Sequence, residues 1–278
     1  MERKVNKIKL FVKNNTKSME AAQLLKSKLK EQNFQITEEN YDLAISIGGD
    51  GSFLKMVNEN QFNRSILYVG INTGTLGFLQ EIDLEKCPDF IQRLNESDFK
   101  IEEISIAEGS IITSNKTISF QFLNEIVIRD KNLKVLEAAV NIDTELLEDF
   151  TGDGLLISTS TGSTAYNICY GGSIIYNTLA TLSITPIAPI NSRAYHNLIN
   201  SVIIPDKKII TIAPTKNKEL LLTIDGINHS IKDILKIQIT INNHKIKCLR
   251  MNESNFIKTV HNKLLKSESY QNDKDTFI

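Results

Sequence analysis

Residues 43–52, LAISIGGDGS, lead from a short run of apolar and small residues into a turn that contains three glycines. The run predicts a buried β-strand, and residues 52–58 behind the turn favour a helix. Glycines let the backbone approach a ligand closely, and a helix start offers unpaired N–H groups at a positive dipole end. The stretch therefore predicts a strand–loop–helix unit of an α/β sheet, with a phosphate site at the carboxyl edge of the strand.

The glycine loop also carries a carboxylate, Asp50. The loop lacks the GK[ST] end of a P-loop and the GxGxxG pattern of dinucleotide-binding folds. Asp50 is suited to take a proton from an attacking hydroxyl or to hold a metal near phosphates, as phosphoryl transfer requires. Alternatively, Asp50 only caps the helix that follows a tight turn. Gly49 and Gly51 on either side are candidate binding residues.

The first hundred residues alternate between predicted strands and helices. Apolar runs at 8–12 and 65–71 add two strands to the one at 43–47, and residues 19–29 and 84–94 have helical spacing and composition. This alternation indicates a parallel sheet with helices on its faces. We therefore expect a Rossmann-like α/β domain at 1–100.

The chain changes character near residue 100. Short β-rich runs dominate as far as residue 252, with one predicted helix at 163–169, and they indicate a β-rich, β-sandwich-like domain at 101–252. Apolar residues at four-residue steps predict a final amphipathic helix within about 253–278, packed back on the first domain. The predicted strands are Phe120–Ile128, Val135–Ile142, Leu155–Ser158, Ser201–Ile204, Lys208–Ile212, Leu220–Ile224 and Leu235–Ile241.

Charge balance, apolar runs and cysteine spacing indicate which binding partners and which cell compartment to expect. The 278 residues include 32 Lys and Arg against 33 Asp and Glu, and without a basic stripe we expect no nucleic-acid partner. No apolar run approaches the ~20 residues of a spanning helix, so we expect no membrane partner. The three cysteines and four histidines lack metal-ligand spacing, and we assign no metal-ligating side chains. Unpaired cysteines suit a reducing compartment, so we expect a cytoplasmic protein.

Two further motifs follow predicted strands. Residues 72–78, NTGTLGF, leave the strand after the glycine loop, and Asn72, Thr73 and Phe78 are predicted to form a second wall of the same cleft. A simple turn is the structural alternative. Residues 123–125, LNE, place Asn124 and Glu125 at the head of an apolar strand, where they either bind a ribose or an amide or form an exposed strand end.

A third cluster, residues 152–167, runs GDGLLISTSTGSTAYN. A strand there enters a turn rich in hydroxyls and then a helix, so the turn offers hydrogen bonds to a polar ligand. Tyr166 is a candidate to stack on a base, and the alternative is a well-capped helix with a buried tyrosine. Residues 223–226, TIDG, predict a hairpin turn in which Asp225 is a turn residue.

In this order, the motifs GGDG, NTG with LGF, LNE, GDG and TGSTAY resemble the NAD kinase family, over roughly residues 40 to 230. The resemblance implies an N-terminal α/β domain and a C-terminal β-rich domain, with NAD bound between them. It implies that Asp50 accepts the proton of the adenosine ribose 2′-hydroxyl, and that Asn124 and Glu125 contact adenosine or its ribose.

The resemblance also implies further contacts and partners. Asp153 would lie near the nicotinamide end, and Thr164, Ala165 and Tyr166 would line the adenine side. ATP or polyphosphate would be the phosphoryl donor, a divalent metal ion such as Mg²⁺ would be the cofactor, and the chain would form a homodimer or homotetramer. The other predicted binding residues are Gly49, Gly51, Asn72, Thr73, Phe78, Thr161, Asn167, Cys169 and Asp225.

The sequence departs from the family pattern at five positions. Thr151 replaces a frequent arginine, so a charge contact to NAD is missing or replaced, and Ser160 replaces a usual proline. Ser52, Cys169 and Ser173 are the other departures. Two alternatives to the NAD kinase remain: a lipid or sphingoid-base kinase, which shares the GGDG loop, and a non-catalytic NAD(P)-binding sensor.

Overall fold

The computed structural model of the chain describes residues 4–74, 77–252 and 256–266. The chain divides into two compact units, one of Met1–Glu102 with Lys247–Ile278 and one of Glu103–Ile246. Each unit contains a separate apolar core. The predicted combination of an α/β domain and a β-rich domain is confirmed.

The first unit contains a parallel sheet, as the alternation of elements predicts. β3 lies between β1 and β4, β2 extends the sheet beyond β1, and β5 pairs with β4. Lys247 and Cys248, from the last strand of the chain, also pair in parallel with β4. The strands are β1 Lys7–Val12, β2 Gln35–Ile36, β3 Leu43–Gly48, β4 Leu67–Asn72 and β5 Ile82–Asp83.

Three helices accompany this sheet: α1 Thr16–Glu31, α2 Asp50–Glu59 and α3 Cys87–Asn95. α1 begins where the Asn15 side chain accepts a hydrogen bond from the Ser18 N–H at 2.8 Å, which satisfies one of the unpaired donors of the first turn. α2 begins two residues before the predicted position. The predicted helix at 84–94 is a short 3₁₀ turn followed by α3.

The register of β3 and β4 brings two predicted loops to one edge. Gly48 at the end of β3 lies beside Asn72 at the end of β4, because the two strands are parallel. The Thr73 N–H donates to the Gly48 carbonyl at 3.0 Å just beyond the strand ends. The glycine loop and the segment that starts at Asn72 therefore leave the sheet side by side, as predicted.

The second unit is dominated by antiparallel strands. Its central strand is β10, which pairs antiparallel with β8, β9 and β11. Inward-facing isoleucines, leucines and valines of these strands form one core. The strands are β6 Lys100–Thr113, β7 Thr117–Phe122, β8 Glu125–Asp130, β9 Leu136–Ile142, β10 Glu145–Thr159, β11 Thr181–Pro189, β12 Val202–Pro205, β13 Ile210–Pro214, β14 Leu220–Ile224, β15 Ile227–Ile231 and β16 Ile234–Arg250.

The structure corrects three details of this unit. The predicted strand 120–128 is interrupted before Glu125, so that it contributes to both β7 and β8. β6, β11 and β15 were not among the predicted strands. The predicted helix at 163–169 is a 3₁₀ turn, Gly162–Thr164, followed by the single-turn helix α4 Tyr166–Cys169, and Ala165 between them is non-helical at φ −98° and ψ −127°.

The described part of the C-terminal helix is short. α5 covers Phe256–Val260 and continues as a π-helical turn over His261–Leu265, and Phe256 is buried. The rest of the predicted segment, 253–255 and 267–278, lies outside the described residues. No helix within the described ranges is long and apolar enough to cross a membrane.

Candidate active site

Asp50 is the first residue of α2, and its side chain binds the neighbouring loop. Its Oδ2 accepts a hydrogen bond from the Phe78 N–H at 2.7 Å, and its Oδ1 accepts one from the Leu79 N–H at 3.0 Å. Gly49 occupies the N-cap position, and no side chain caps the helix. The alternative in which Asp50 is only a helix cap is therefore wrong.

The environment of Asp50 favours a more basic carboxylate than an exposed aspartate has. Burial raises its pKa, and this effect is opposed by backbone N–H bonds from Phe78, Leu79 and Gln80 and by the charge of Lys263. A carboxylate oxygen can accept about two hydrogen bonds. With three backbone donors, the Asp50 carboxylate thus keeps capacity to receive a proton while it holds the loop.

The glycines around Asp50 have different local functions. A Cβ atom at Gly77 would lie 2.9 Å from the Asp50 Oδ1, so the close approach of the two loops requires glycine there. A Cβ atom at Gly49 or Gly51 would meet nothing within 4 Å, so these backbones face open space. The open backbone at the start of α2 suits the predicted contact with phosphate.

An open cleft of about 610 Å³ borders the glycine loop within the first unit. Its lining includes Gly49, Gly51 and Ser52 together with Lys13 and Lys55. Lysine side chains next to open backbone N–H groups favour an anionic ligand. No sequence motif marks these lysines, so they were not predicted.

The side chains of Asn72 and Thr73, two other predicted residues of the first unit, form hydrogen bonds within the protein. The Asn72 Oδ1 accepts from the Gly74 N–H at 2.9 Å, and the Thr73 and Ser18 hydroxyls are hydrogen-bonded at 2.9 Å. Both predicted residues are buried. Phe78 lies beside Asp50 as predicted, and Thr75 and Leu76 lie outside the described residues.

In the second unit, Asn124 and Glu125 are buried, with 6% and 8% of their surface exposed. The alternative of an exposed strand end is therefore wrong. Among the described residues, Asn124 Oδ1 and Glu125 Oε2 are buried oxygens without a hydrogen-bond partner. Leaving a buried polar atom unpaired costs about 1–3 kcal/mol, so the two oxygens indicate a site for a ligand with donor groups.

The Asp225 carboxylate binds the backbone of residues 123–125. Its Oδ2 accepts from the Leu123 N–H at 2.7 Å, and its Oδ1 accepts from the N–H groups of Asn124 at 2.8 Å and Glu125 at 3.2 Å. It lies in the predicted hairpin turn between β14 and β15, with φ 44° at Asp225 and 83° at Gly226. Its carboxylate thus binds the backbone that presents Asn124 and Glu125.

Burial raises the pKa values of both carboxyl groups in this cluster. The pKa of Glu125 is raised to about 8 by burial and, secondly, by the negative charge of Asp225, while the Tyr166 backbone N–H lowers it. The pKa of Asp225 is raised by burial to about 6, against the effect of its three backbone donors. Burial therefore disfavours the ionised form of both carboxyl groups.

The hydroxyl-rich turn is fastened directly to the same segment. The Thr159 hydroxyl donates to the Leu123 carbonyl at 2.6 Å and accepts from the Gly162 N–H at 3.1 Å. A Cβ atom at Gly162 would lie 2.1 Å from the Asn124 carbonyl oxygen, so only glycine allows this approach. The structure thus brings the LNE and TGSTAY motifs together within the second unit.

Tyr166 is 40% exposed, so the alternative of a buried tyrosine is wrong. Its hydroxyl and that of Tyr170 are hydrogen-bonded at 2.7 Å, and Arg129 Nη2 donates to the Tyr170 hydroxyl at 2.7 Å. These bonds, first from Tyr170 and then from Arg129, lower the pKa of Tyr166. The open ring remains available for stacking. Arg129 and Tyr170 were not predicted, because neither belongs to a recognised motif.

The remaining predicted residues of the second unit divide into buried and exposed groups. Asn167 is fully buried, with its amide donating to the Ser163 carbonyl at 3.2 Å and accepting from the Thr185 hydroxyl at 2.7 Å. Thr164 is also buried, and Thr161 and Ala165 are half-buried. Asp153 and Cys169 have exposed side chains.

Within the described ranges, no cluster of three or more His, Cys, Asp or Glu residues could hold a metal ion. Mg²⁺ usually keeps several waters and is bound by one or two carboxylates together with substrate phosphates. Asp50 at the glycine loop is compatible with that mode of binding. The donor set therefore fits an ion that arrives with a nucleotide.

Comparison with known proteins gives consistent results at the level of sequence. Residues 1–99 match the ATP-NAD kinase N-terminal domain, and residues 123–251 match the ATP-NAD kinase C-terminal domain. The NAD kinase of Finegoldia magna is 39% identical over 251 residues, which cover 87% of this chain and 92% of the relative. The NAD kinase of Streptococcus gordonii is 34% identical over 249 residues, covering 86% and 88%.

Two solved structures share the fold. The crystal structure of yeast NADH kinase complexed with NADH matches with a TM-score of 0.82 and 22% identity, covering 99% of this chain and 90% of that one. The crystal structure of an NAD kinase from Archaeoglobus fulgidus in complex with ATP matches with a TM-score of 0.72 and 19% identity, covering 92% and 98%.

Proposed function

This chain belongs to the NAD kinase family, and from that premise we propose how its residues transfer a phosphoryl group to NAD. Membership favours NAD as the acceptor over the lipid-kinase and non-catalytic alternatives, because residues 1–99 and 123–251 both match NAD kinase domains. The chain is an enzyme with the family activity, and ATP is a phosphoryl donor. The 2′-hydroxyl of the adenosine ribose is the proposed site of phosphorylation.

Asp50 is the proposed proton acceptor. A ribose hydroxyl is a weak nucleophile near neutral pH, and a positioned carboxylate that accepts its proton contributes typically about 10²–10⁴-fold in rate. The observation that carries this assignment is the half-buried Asp50 carboxylate fixed by the Phe78 and Leu79 N–H groups. Burial raises its pKa, so the proton is accepted more readily than by an exposed aspartate.

The buried oxygens of the second unit are the proposed contacts to the nucleoside. Asn124 Oδ1 and Glu125 Oε2 lack partners in the fold, and hydroxyl or amino donors of the adenosine would satisfy them. Tyr166 offers an open ring to the adenine, and Thr161, Thr164 and Ala165 are proposed to line the same side. Asp153 is proposed to contact the nicotinamide end, with Asn167 and Cys169 next to the adenine contacts.

The phosphates are proposed to bind the open glycine loop. Gly49 and Gly51 present backbone without steric hindrance, and Lys13 and Lys55 supply positive charge beside them. A Mg²⁺ ion brought by the donor would neutralise phosphate charge, held by the phosphates and by waters. Polyphosphate is proposed as an alternative donor, because the cleft is open and includes Lys9, Lys13 and Lys55 among its lining residues.

Location and assembly are also proposals. A cytoplasmic enzyme is supported by three free cysteines, of which Cys169 is exposed. A homodimer or homotetramer is supported by large apolar side chains that remain exposed on the second unit, including Tyr176, Leu179, Ile199 and Ile203. Analytical ultracentrifugation tests the assembly, and a purely monomeric chain at assay concentrations would contradict it.

The decisive assay combines the purified chain with NAD, ATP and Mg²⁺ and measures NADP formation. Diacylglycerol in place of NAD tests the lipid-kinase alternative, and polyphosphate in place of ATP tests the donor. Asp50→Asn should lower turnover by about a hundredfold or more. Near-normal turnover in that variant would remove Asp50 from the role of base.

A matched control is needed, because Asp50 also holds a loop. An asparagine presents an NH₂ group to some of the backbone N–H donors that Asp50 accepts, so Asp50→Asn also disturbs the loop. Asp42→Asn is the control, since Asp42 accepts the N–H groups of Asn6 at 3.0 Å and Lys7 at 2.9 Å at the opposite end of β3. We expect the control to keep its turnover. If both variants lose turnover equally, the effect is structural.

A further inference from the structure

The Gln80 side chain lies buried beside the glycine loop, with only 9% of the residue exposed. Its Nε2 donates to the Gly49 carbonyl at 2.7 Å, and its backbone N–H is among the groups that bind the Asp50 carboxylate. Gln80 thus contacts the loop through two different atoms. No motif in the sequence draws attention to it.

Two neighbouring strands form a seat for this side chain. Ser46 of β3 and Gly70 of β4 are paired across the parallel sheet. The Ser46 hydroxyl lies 3.4 Å from Gln80 Oε1, and a Cβ atom at Gly70 would lie 2.0 Å from the same oxygen. Gly70 therefore provides the space that the Gln80 amide occupies.

The Gly49 carbonyl is the atom through which Gln80 acts. It also accepts the Ser52 N–H at 2.9 Å and the Phe53 N–H at 3.3 Å, which form the first turn of α2. Its orientation fixes the peptide plane between Gly49 and Asp50. Because the chemistry proposed for Asp50 depends on the direction of its carboxylate, a small rotation of this peptide displaces the reacting group.

We propose that Gln80, seated against Gly70, is a positioning residue that sets the orientation of Asp50 for proton acceptance. The proposal rests on the assigned function of Asp50 as the proton acceptor. Gln80 does not contact the substrate in this proposal. It donates one hydrogen bond to the loop carbonyl and one backbone N–H to the carboxylate, so that Asp50 is held before a ligand arrives.

The proposal distinguishes turnover from binding. Gln80→Met keeps the length of the side chain but removes the donor, while the Gly49 carbonyl keeps its two helical partners. We expect kcat with NAD and ATP to fall about tenfold, the loss of one well-placed hydrogen bond, with KM for NAD changed less than twofold. A merely structural residue would instead change thermal stability without this kcat-against-KM split.

Gln80→Glu provides a pH-dependent readout. The ionised carboxylate would face the Gly49 carbonyl with two acceptors and no donor, whereas the protonated acid can donate as the amide does. Burial raises the pKa of such a carboxyl into an accessible range. We therefore expect the ratio of variant to wild-type kcat to rise as the pH falls through the neutral range, and a ratio independent of pH would overturn the proposal.

A double-mutant cycle tests the seat itself. Gly70→Ala should displace the Gln80 amide and lower kcat about as much as Gln80→Ala does, and the double variant should be no worse than Gln80→Ala alone. Additive losses would show that Gly70 acts independently and would overturn the seat. If the alanine variants fail to fold, Gln80→Met and Gln80→Glu still decide the question.

The outcomes also separate this inference from the assigned function. A wild-type chain that forms no NADP would refute the role of Asp50 and with it the premise. A wild-type chain that forms NADP, combined with normal kcat in Gln80→Met, would refute only the positioning role of Gln80. Loss of kcat together with the pH-dependent ratio in Gln80→Glu supports both.

Discussion

Glu125 gives the most quantitative prediction, because its carboxyl group is buried and its pKa is strongly raised. The pKa of Glu125 rises from 4.5 to about 8, mainly through burial and secondly through the charge of Asp225. A glutamate with a raised folded-state pKa binds more protons in the folded chain than in the unfolded chain. The free energy of unfolding must therefore decrease as the pH rises from 4.5 towards 8.

The size of this effect follows from the shift. The difference between 4.5 and about 8 is about 3.5 units, and at about 1.36 kcal/mol per unit it amounts to on the order of 5 kcal/mol. This is an upper bound, because water can reach an ionised carboxylate when the fold relaxes. Asp225, with its pKa raised to about 6, contributes in the same direction at lower pH.

The variant Glu125→Gln should remove most of this dependence. The amide oxygen can still accept the Tyr166 N–H, but the side chain cannot ionise. Urea unfolding at a series of pH values should show a flatter profile between pH 5 and 8 for the variant than for the wild type. Glu145→Gln, at an exposed position at the start of β10, serves as the control and should keep the wild-type slope.

The reasoning would be refuted if wild type and Glu125→Gln lost stability in parallel over that range. It would also be refuted if Glu145→Gln flattened the profile equally, since an exposed glutamate should contribute little. A change in the overall stability of Glu125→Gln, on top of a flatter profile, would show only that the amide packs differently. The slope of the free energy of unfolding against pH, and not its absolute value, reports the ionisation of Glu125.

Three further predictions concern activity. Because burial raises the pKa of Asp50, kcat/KM should decline on the acid side at a pH above the ordinary aspartate value, and a rate profile without that limb would contradict the base assignment. Tyr166→Ala should raise KM for NAD several-fold with kcat nearly unchanged, as measured by steady-state kinetics; a fall in kcat alone would refute the stacking role. Gly162→Ala should weaken NAD binding in calorimetry and lower Tm, because the added Cβ would lie 2.1 Å from the Asn124 carbonyl oxygen. An unchanged affinity would show that this contact does not shape the site.

Much of the fold could be predicted because its signals are local. The strand, glycine turn and helix around Asp50 lie within one short stretch, and the hairpin at Asp225 needs only the Asp-Gly pair. β11 was missed because Pro186 lies within it, opposite Leu155, and a proline in a strand removes a ladder donor and weakens the signal. β6 was missed because its charged start, 100–103, resembles a loop.

The site could be predicted only where a motif marks the residue. Asp50, Asn124 and Glu125 were named from their motifs. The contacts that hold them join residues far apart in sequence: Gln80 is 31 residues from Gly49, and Asp225 is 102 residues from Leu123. No periodicity or composition connects such pairs, so only the folded chain reveals them.

Each unit contains a carboxylate that binds the backbone N–H groups of a neighbouring segment. A mobile segment that carries a polar side chain must be ordered before it can bind or react, and ordering each residue costs about 1–2 kcal/mol in backbone entropy. In the first unit Asp50 accepts backbone N–H groups at 78 and 79, and in the second Asp225 accepts three at 123–125. Each carboxylate offers several charge-assisted bonds at one point, which is more than a neutral side chain of that size can provide. The difference lies in exposure to ligand: Asp225 is buried, with 9% of the residue exposed, whereas Asp50 is only half-buried and has an open glycine backbone beside it. The same arrangement therefore produces a scaffold residue in one unit and the proposed proton acceptor in the other.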